Sequence, residues 1–121
     1  WLAEIEQNAD FHEVVGACDL RVAAWADEVT SEYDVIINAT ASGLSDAFTP
    51  PSGVAFAANA LAYDMMYGKP TAFLAWARAY GAQTADGWGM LVEQAARSFH
   101  IWHGVAPDTA PLFRRIEQGG A

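Results

Sequence analysis

The pattern of hydrophobic positions along the chain predicts short strands that alternate with amphipathic helices. The clearest strand runs from Asp34 to Asn38, where Val35, Ile36 and Ile37 follow one another. Three consecutive β-branched residues are typical of a strand that is covered on both faces in a parallel sheet. Shorter strands are predicted at Leu61 to Asp64 and at Gln83 to Ala85.

Apolar residues at helical spacing predict a helix from Thr71 to Tyr80. Its apolar stripe consists of Phe73, Trp76, Ala77 and Tyr80, at positions i, i+3, i+4 and i+7. Thr71 is a candidate N-cap because its hydroxyl can accept a hydrogen bond from a free backbone N–H. Gly81 is the expected stop, since glycine readily adopts the left-handed conformation that ends helices.

Two further helices follow. The first spans about Gly89 to His103, with Leu91, Ala95, Phe99 and Trp102 on one side, and ends at Gly104. The second extends to Ile116, with Asp108 as its candidate cap. At the other end of the chain, we predict a helix over Leu2 to Val15, a strand over Leu20 to Ala24 and a helical turn over Trp25 to Val29.

Strands that alternate with helices predict an α/β fold with a parallel sheet. Ligands of such sheets bind at the carboxyl ends of the strands. The loops after Asn38, Asp64 and Ala85 all begin at such ends and are rich in small or aromatic residues. This coincidence predicts a ligand site at that edge of the sheet.

The composition of the chain limits the classes of partner that it can bind. The 121 residues carry a net charge of −9 with only six basic residues, so nucleic acid and anionic membrane are poor candidates. No apolar stretch is long enough to span a bilayer. The single cysteine, Cys18, cannot form an internal disulfide, which favours a cytoplasmic setting. His100 and His103 lack a third ligand nearby, so we predict no metal site.

Several residues of the strand-end loops have useful chemistry. Thr40 and Ser42 offer hydroxyls in a small-residue loop, and Met65 can pack against a flat ring. Tyr67 can donate a hydrogen bond to a polyol or a carboxylate. The residues alone also allow an ordinary turn at Thr40 and Ser42, and core packing at Met65. The segment that follows Asp86 contributes three more candidates. Gly87 permits close approach of the backbone. Met90 and Gln94 are one helical turn apart and therefore share a face of the helix.

Taken together, the segments resemble the C-terminal part of shikimate dehydrogenases. The resemblance extends from about Asp34 to Pro111. It rests on Ile36-Ile37-Asn38-Ala39-Thr40, Asp64-Met65-Met66-Tyr67, Phe73-Leu74-Ala75-Trp76-Ala77, Asp86-Gly87-Trp88-Gly89-Met90-Leu91-Val92-Glu93-Gln94-Ala95-Ala96 and Phe99-His100-Ile101-Trp102-His103-Gly104-Val105. The order and spacing of these segments are specific, although each alone is modest evidence.

The resemblance implies an NADP-dependent, reversible reduction of 3-dehydroshikimate to shikimate, a step of aromatic amino acid biosynthesis. It implies that the cofactor is bound by Thr40, Ser42, Met65, Gly87 and Met90, and that the shikimate is bound by Tyr67 and Gln94. It implies an incomplete Rossmann-like three-layer parallel sheet. Residues 1–93 would be the distal part of the dinucleotide-binding domain, and residues 94–121 helices that pack on a substrate domain.

Other parts of the family have no counterpart here. The chain lacks a Gly-rich phosphate turn and the Asn-Arg-Thr segment that reads the 2′-phosphate, and Lys69 does not match the family's catalytic lysine. The catalytic Lys and Asp are expected in an N-terminal part of the same enzyme, so we expect this chain alone to be inactive.

Two local departures from the family touch the rim of the site. Ala41 stands before Ser42, and the loop behind Tyr67 is short, with the order Pro70-Thr71. Two alternatives to a shikimate dehydrogenase remain. One is a quinate/shikimate dehydrogenase relative with a different substrate or NAD preference. The other is a non-catalytic α/β module that binds a ligand or partner. If the chain is a part of a larger enzyme, Phe99, Trp102 and Leu112 are expected on the surface that contacts the remainder.

Overall fold

A computed structural model describes residues 30–41 and 48–118 of the chain. In chain order the elements are β1 (Ser31–Asn38), β2 (Val54–Asp64), α1 (Ala72–Ala79), β3 (Gln83–Ala85), α2 (Trp88–His103) and α3 (Ala110–Glu117). Several predictions lie outside the described residues: the helix Leu2 to Val15, the strand Leu20 to Ala24, the turn Trp25 to Val29, and any role of Cys18 or Ser42.

The three strands form one parallel sheet in the order β1-β2-β3. Asn38, the last residue of β1, pairs with Asp64, the last residue of β2, and Tyr63 pairs with Ala85 at the end of β3. All three strands therefore finish at the same edge of the sheet. The predicted parallel α/β arrangement is confirmed, and so are the three strands that were predicted within the described residues.

Strand β2 begins earlier than the sequence predicted. Its pairing with β1 is interrupted between Tyr33, opposite Phe56, and Val35, opposite Leu61. The extra residues lie on β2, and one of them, Asn59, has a positive φ of 63°. Asparagine is among the few non-glycine residues that adopt this left-handed conformation readily. The first half of β2 is thus offset from the second half, which leads into the site.

Helix α1 covers one face of the sheet and forms the core. Phe73, Leu74 and Ala77 are buried against Ala62 of β2, with Trp76 partly buried beside them. The predicted N-cap is confirmed, because the Leu74 N–H donates to the Thr71 hydroxyl at 3.3 Å. The stop at Gly81 is also confirmed by its φ of 80°. The predicted stripe is wrong at one position: Tyr80 is 69% exposed, and Leu74 takes its place in the core.

The opposite face of β1 is open in the described part of the chain. Val35 and Ile37 are 52% and 61% exposed, whereas Ile36 points to the other face and packs on the core. Within residues 30–41 and 48–118, β1 is therefore covered on one face, and the covering of its second face stays a prediction. Helix α1 supplies a layer on one side only.

Helix α2 is continuous and ends, as predicted, at Gly104, whose φ of 71° closes it in the left-handed conformation. None of its residues is buried, so its predicted apolar side has no covering layer among the described elements. Helix α3 begins one residue later than a cap at Asp108 requires: Thr109 occupies the cap, and Asp108 Oδ1 accepts from the Ala110 N–H at 3.0 Å.

Among residues 30–41 and 48–118, the structure contains no helix with the length and apolar character needed to cross a membrane.

Candidate functional site

The loops that follow the three strands are hydrogen-bonded to one another. The Met65 N–H donates to the Asn38 carbonyl at 3.0 Å, and the Gly87 N–H donates to the Met66 carbonyl at 3.0 Å. These two bonds continue the ladder of the sheet beyond the last paired residues. The strand-end edge predicted from the sequence is therefore one connected surface.

A buried carboxylate lies beneath this surface. Asp64 has no exposed area, and its Oδ1 accepts from the Met66 N–H at 3.0 Å and from Asn38 Nδ2 at 3.3 Å. Its Oδ2 accepts from the Thr71 hydroxyl at 2.6 Å. Hydrogen bonds to an ionised carboxylate are shorter and stronger than neutral ones, and they offset the cost of burying the charge.

The side chain of Asn38 carries this connection to the first loop. Asn38 is buried, and its Oδ1 accepts both from the Thr40 backbone N–H at 3.1 Å and from the Thr40 hydroxyl at 2.7 Å. Thr40 itself is exposed at the edge of the sheet. Its backbone and side chain are thus fixed by a residue that is itself buried.

Gly87 is buried directly against the loop after β2. A Cβ at this position would lie 2.2 Å from the Met65 carbonyl oxygen and 2.8 Å from its carbonyl carbon. Side chains do not approach backbone atoms this closely, so only glycine fits. Close packing against the Met65 backbone is therefore sufficient to explain why this position is glycine.

Tyr67 packs on the first residue of α2. Its ring centroid lies 4.9 Å from that of Trp88, at an interplanar angle of 50°. Such tilted aromatic pairs stabilise the orientation of both rings. Tyr67 is nevertheless 43% exposed, so its ring is held on one side and open on the other.

The two remaining predicted residues lie on α2. Met90 is exposed in the first turn of the helix, and Gln94 is exposed one turn later. The structure therefore brings Thr40, Met65 and Gly87 together at the strand ends, with the start of α2 following directly after Gly87. Ser42 lies outside the described residues.

Sequence reasoning missed the polar network under the site. Asn38 and Asp64 each end a strand, and this position was the available signal, because parallel neighbours that end together place their last side chains side by side. The link from Asp64 to Thr71 was not foreseen, since Thr71 was interpreted only as a helix cap.

Two hollows lie near these residues. One, of about 90 Å³, is lined by Asn38 and Thr40 together with Phe48 and Trp76, so it adjoins the first loop. The other, of about 700 Å³, is lined by residues that include Tyr63, Lys69, Trp88 and Phe113. Apart from the neighbouring Trp88 and Gly89, the larger hollow does not involve the predicted site.

The histidines do not form a metal site in the described residues. His100 Nδ1 is buried without a hydrogen-bond partner there, and the His103 ring lies 4.5 Å from that of Phe99. Across the described ranges, no group of three or more His, Cys, Asp or Glu side chains is placed to hold a metal ion.

Comparison with known proteins points to one family. Residues 87–112 match the family model described as the shikimate 5'-dehydrogenase C-terminal domain. The fold is similar to the crystal structure of an Ael1 enzyme from Pseudomonas putida, with a TM-score of 0.57 and 41% identity, covering 69% of this chain and 32% of that one.

Curated relatives named shikimate dehydrogenase (NADP(+)) are also similar to the chain. The protein of Methylobacillus flagellatus is 63% identical over 87 residues, which is 70% of this chain and 32% of the relative. The protein of Hahella chejuensis is 48% identical over 117 residues, which is 95% of this chain and 43% of the relative. The chain thus spans less than half the length of these relatives.

Proposed function

We propose that this chain is the C-terminal part of a shikimate dehydrogenase and forms one wall of an active site that interconverts 3-dehydroshikimate and shikimate with NADP. The observation that carries the proposal is the shared strand-end edge, where the loops after β1, β2 and β3 are joined by hydrogen bonds from Met65 and Gly87. Parallel α/β sheets bind their ligands at this edge.

The cofactor side of this wall consists of Thr40, Met65, Gly87 and Met90, with Ser42 proposed from the sequence alone. Met65 and Met90 are both exposed, so their thioether side chains are free to pack against a flat, weakly polar ring such as nicotinamide. When bound, NADP supplies or accepts the hydride. The protein's contribution is to orient the ring and to keep it away from water.

The substrate side consists of Tyr67 and Gln94. The Tyr67 ring is held by Trp88, which leaves its hydroxyl as a positioned hydrogen-bonding group. Gln94 is exposed and offers both a donor and an acceptor on its amide. A phenol and an amide suit the hydroxyls and carboxylate of shikimate.

We assign no catalytic acid or base to this chain. Lys69 is exposed in the loop that precedes α1 and lines the hollow of about 700 Å³. The proton-transferring Lys and Asp are proposed to come from the part of the enzyme that corresponds to the unmatched length of the relatives. The chain's partner in this scheme is that N-terminal part, and the single cysteine fits a cytoplasmic setting.

The proposed division into domains places residues 1–93 in the dinucleotide-binding domain and residues 94–121 among the helices that return to the substrate domain. Helix α2 runs unbroken across this boundary, from Trp88 to His103. A continuous helix would therefore join the two parts rigidly and carry Gln94 at the junction.

The test joins this chain to the N-terminal part of the Hahella chejuensis protein, in place of its matching segment. We expect NADPH formation with shikimate, measured by absorbance, and little with quinate or with NAD⁺. A folded hybrid that turns over neither substrate with either cofactor would overturn the proposal. Preference for quinate or NAD⁺ would instead favour the quinate/shikimate relative.

A paired substitution makes the test specific to the site. Gln94→Ala is expected to raise KM for shikimate about tenfold, since one lost hydrogen bond to substrate is worth roughly 1 to 1.5 kcal/mol. Gln118→Ala is the matched control, because Gln118 is an exposed glutamine just after α3. Equal effects of the two substitutions would remove Gln94 from the site.

A further inference from the structure

We infer that the buried Asp64 is a positioning residue, which acts through Asn38 to fix the Thr40 loop in the conformation that receives the cofactor. Asp64 would not touch the cofactor itself. The inference rests on the proposed function, because it takes Thr40 to be a cofactor contact, and it adds a residue that the sequence analysis did not assign to the site.

The chemistry of the Asp64–Asn38 pair sets the orientation of the Asn38 amide. An ionised carboxylate only accepts hydrogen bonds, whereas an amide has donors at one end and an acceptor at the other. Asp64 Oδ1 faces Asn38 at 3.3 Å, so it selects the amide orientation in which Nδ2 points towards the carboxylate. The Asn38 oxygen must then point the other way.

The Asn38 oxygen contacts two groups of Thr40. Asn38 Oδ1 accepts from the Thr40 N–H at 3.1 Å and from the Thr40 hydroxyl at 2.7 Å. A reversed amide would place NH₂ against the Thr40 N–H, which can only donate, and that bond would be lost; the Thr40 hydroxyl would have to rotate from donor to acceptor. The orientation imposed by Asp64 is therefore transmitted to the backbone and the side chain of Thr40.

The positioning role of Asp64 is distinct from the part that the same side chain plays in stabilising the fold. Asp64 also accepts from the Thr71 hydroxyl at 2.6 Å, and Thr71 caps α1. The Thr71 branch supports the helix, and the Asn38 branch supports the loop. Because the two branches use different oxygens of one carboxylate, they can be cut independently.

The test cuts each branch with a nearly isosteric change. Asn38→Asp keeps the oxygen that accepts from Thr40 but places a second carboxylate against Asp64. Thr71→Val removes the hydroxyl that donates to Asp64 and leaves Asn38 unchanged. The readout is amide hydrogen exchange at Thr40, measured by NMR on the folded hybrid enzyme described above, which requires no enzymatic activity.

We expect Asn38→Asp to accelerate exchange at Thr40 by about tenfold or more, the factor that corresponds to losing roughly 1.4 kcal/mol of local protection. Thr71→Val should leave Thr40 exchange unchanged. Combining Asn38→Asp with Asp64→Asn restores an amide-to-carboxylate pair and should slow the exchange again. Unchanged exchange in Asn38→Asp, or equal acceleration in both single variants, would overturn the inference.

The functional arm uses the hybrid enzyme described above. There, Asn38→Asp is expected to raise KM for NADPH several-fold while KM for 3-dehydroshikimate stays within twofold, and Thr71→Val should lower stability without changing either constant. If the parent hybrid fails to turn over, the proposed function fails, but the exchange measurement still decides the role of Asp64. If the parent is active and both variants share one KM change, the positioning role is wrong.

Discussion

The carbonyl oxygen of Met65 occupies the place beside Gly87 where any other residue would carry its Cβ, with only 2.2 Å between the two positions. The Gly87 N–H at the same time donates to the next carbonyl, that of Met66. Close approach and hydrogen bonding together hold the entry to α2 against the loop after β2. The spacing of these two loops is therefore set by a residue without a side chain.

Gly87→Ala should accordingly be costly. The added Cβ meets backbone atoms that cannot rotate away, so we expect a loss of about 3 kcal/mol, at the upper end of what overpacking usually costs. Chemical denaturation measures the loss. Gly89→Ala is the control, because its Cβ would lie 3.6 Å from the Phe113 ring, an ordinary contact, and it should change stability by less than about 1 kcal/mol. Similar losses in the two variants would contradict the close contact.

Thr71→Ala should destabilise the fold through two separate bonds. The substitution removes the cap of α1 and the 2.6 Å bond to Asp64, for a combined cost of about 2 to 4 kcal/mol. Thr71→Ser keeps the hydroxyl and should lose less than about 1 kcal/mol. Thermal and denaturant unfolding of both variants provide the comparison. A small effect of Thr71→Ala would mean that the buried carboxylate is satisfied without it.

Tyr67→Phe separates the ring of this residue from its hydroxyl. The stacking on Trp88 is retained, so the stability should stay within about 0.5 kcal/mol. In the hybrid enzyme, KM for shikimate should rise roughly tenfold, because one hydrogen bond to substrate is lost. Tyr80→Phe on the exposed side of α1 is the control and should change neither quantity. An unaltered KM in Tyr67→Phe would exclude its hydroxyl from the substrate site.

The exposed apolar side chains of α2 and α3 should make this chain self-associate when it is produced alone. Phe99, Trp102 and Leu112 are all exposed, as expected for a surface that contacts the rest of a larger enzyme, and Trp102 is 76% exposed. Large apolar side chains that are exposed to water favour association. Trp102→Gln should therefore lower the weight-average mass in sedimentation experiments, whereas Tyr80→Gln should not. A monomer at all concentrations before substitution would argue against this surface.

Local signals were sufficient for much of the fold. The cap at Thr71, the stop at Gly81 and the glycine that ends α2 each follow from the conformational preference of one residue, and the structure has all three. The β-branched run at Val35 to Ile37 was enough to predict β1. Short-range preferences of this kind do not depend on what lies across the sheet.

Features that depend on partners far along the chain were harder to predict. The early start of β2 was missed because Val54 to Ala60 is rich in alanine, and the positive φ of Asn59 occurs where the pairing of β2 with β1 is interrupted. The network from Asp64 to Thr40 needs the exact register of two strands. The exposure of Val35 and Ile37 depends on a covering layer, which a strand's own composition cannot reveal.

The two outer strands of the described sheet differ in how well they could template a further strand. Strand β3 has three residues, and so short an edge offers few free backbone groups for another strand to pair with. Strand β1 has eight, and its flank carries the uncovered Val35 and Ile37. Growth of this sheet is therefore directional: an additional strand would find more backbone groups to pair with at β1 than at β3.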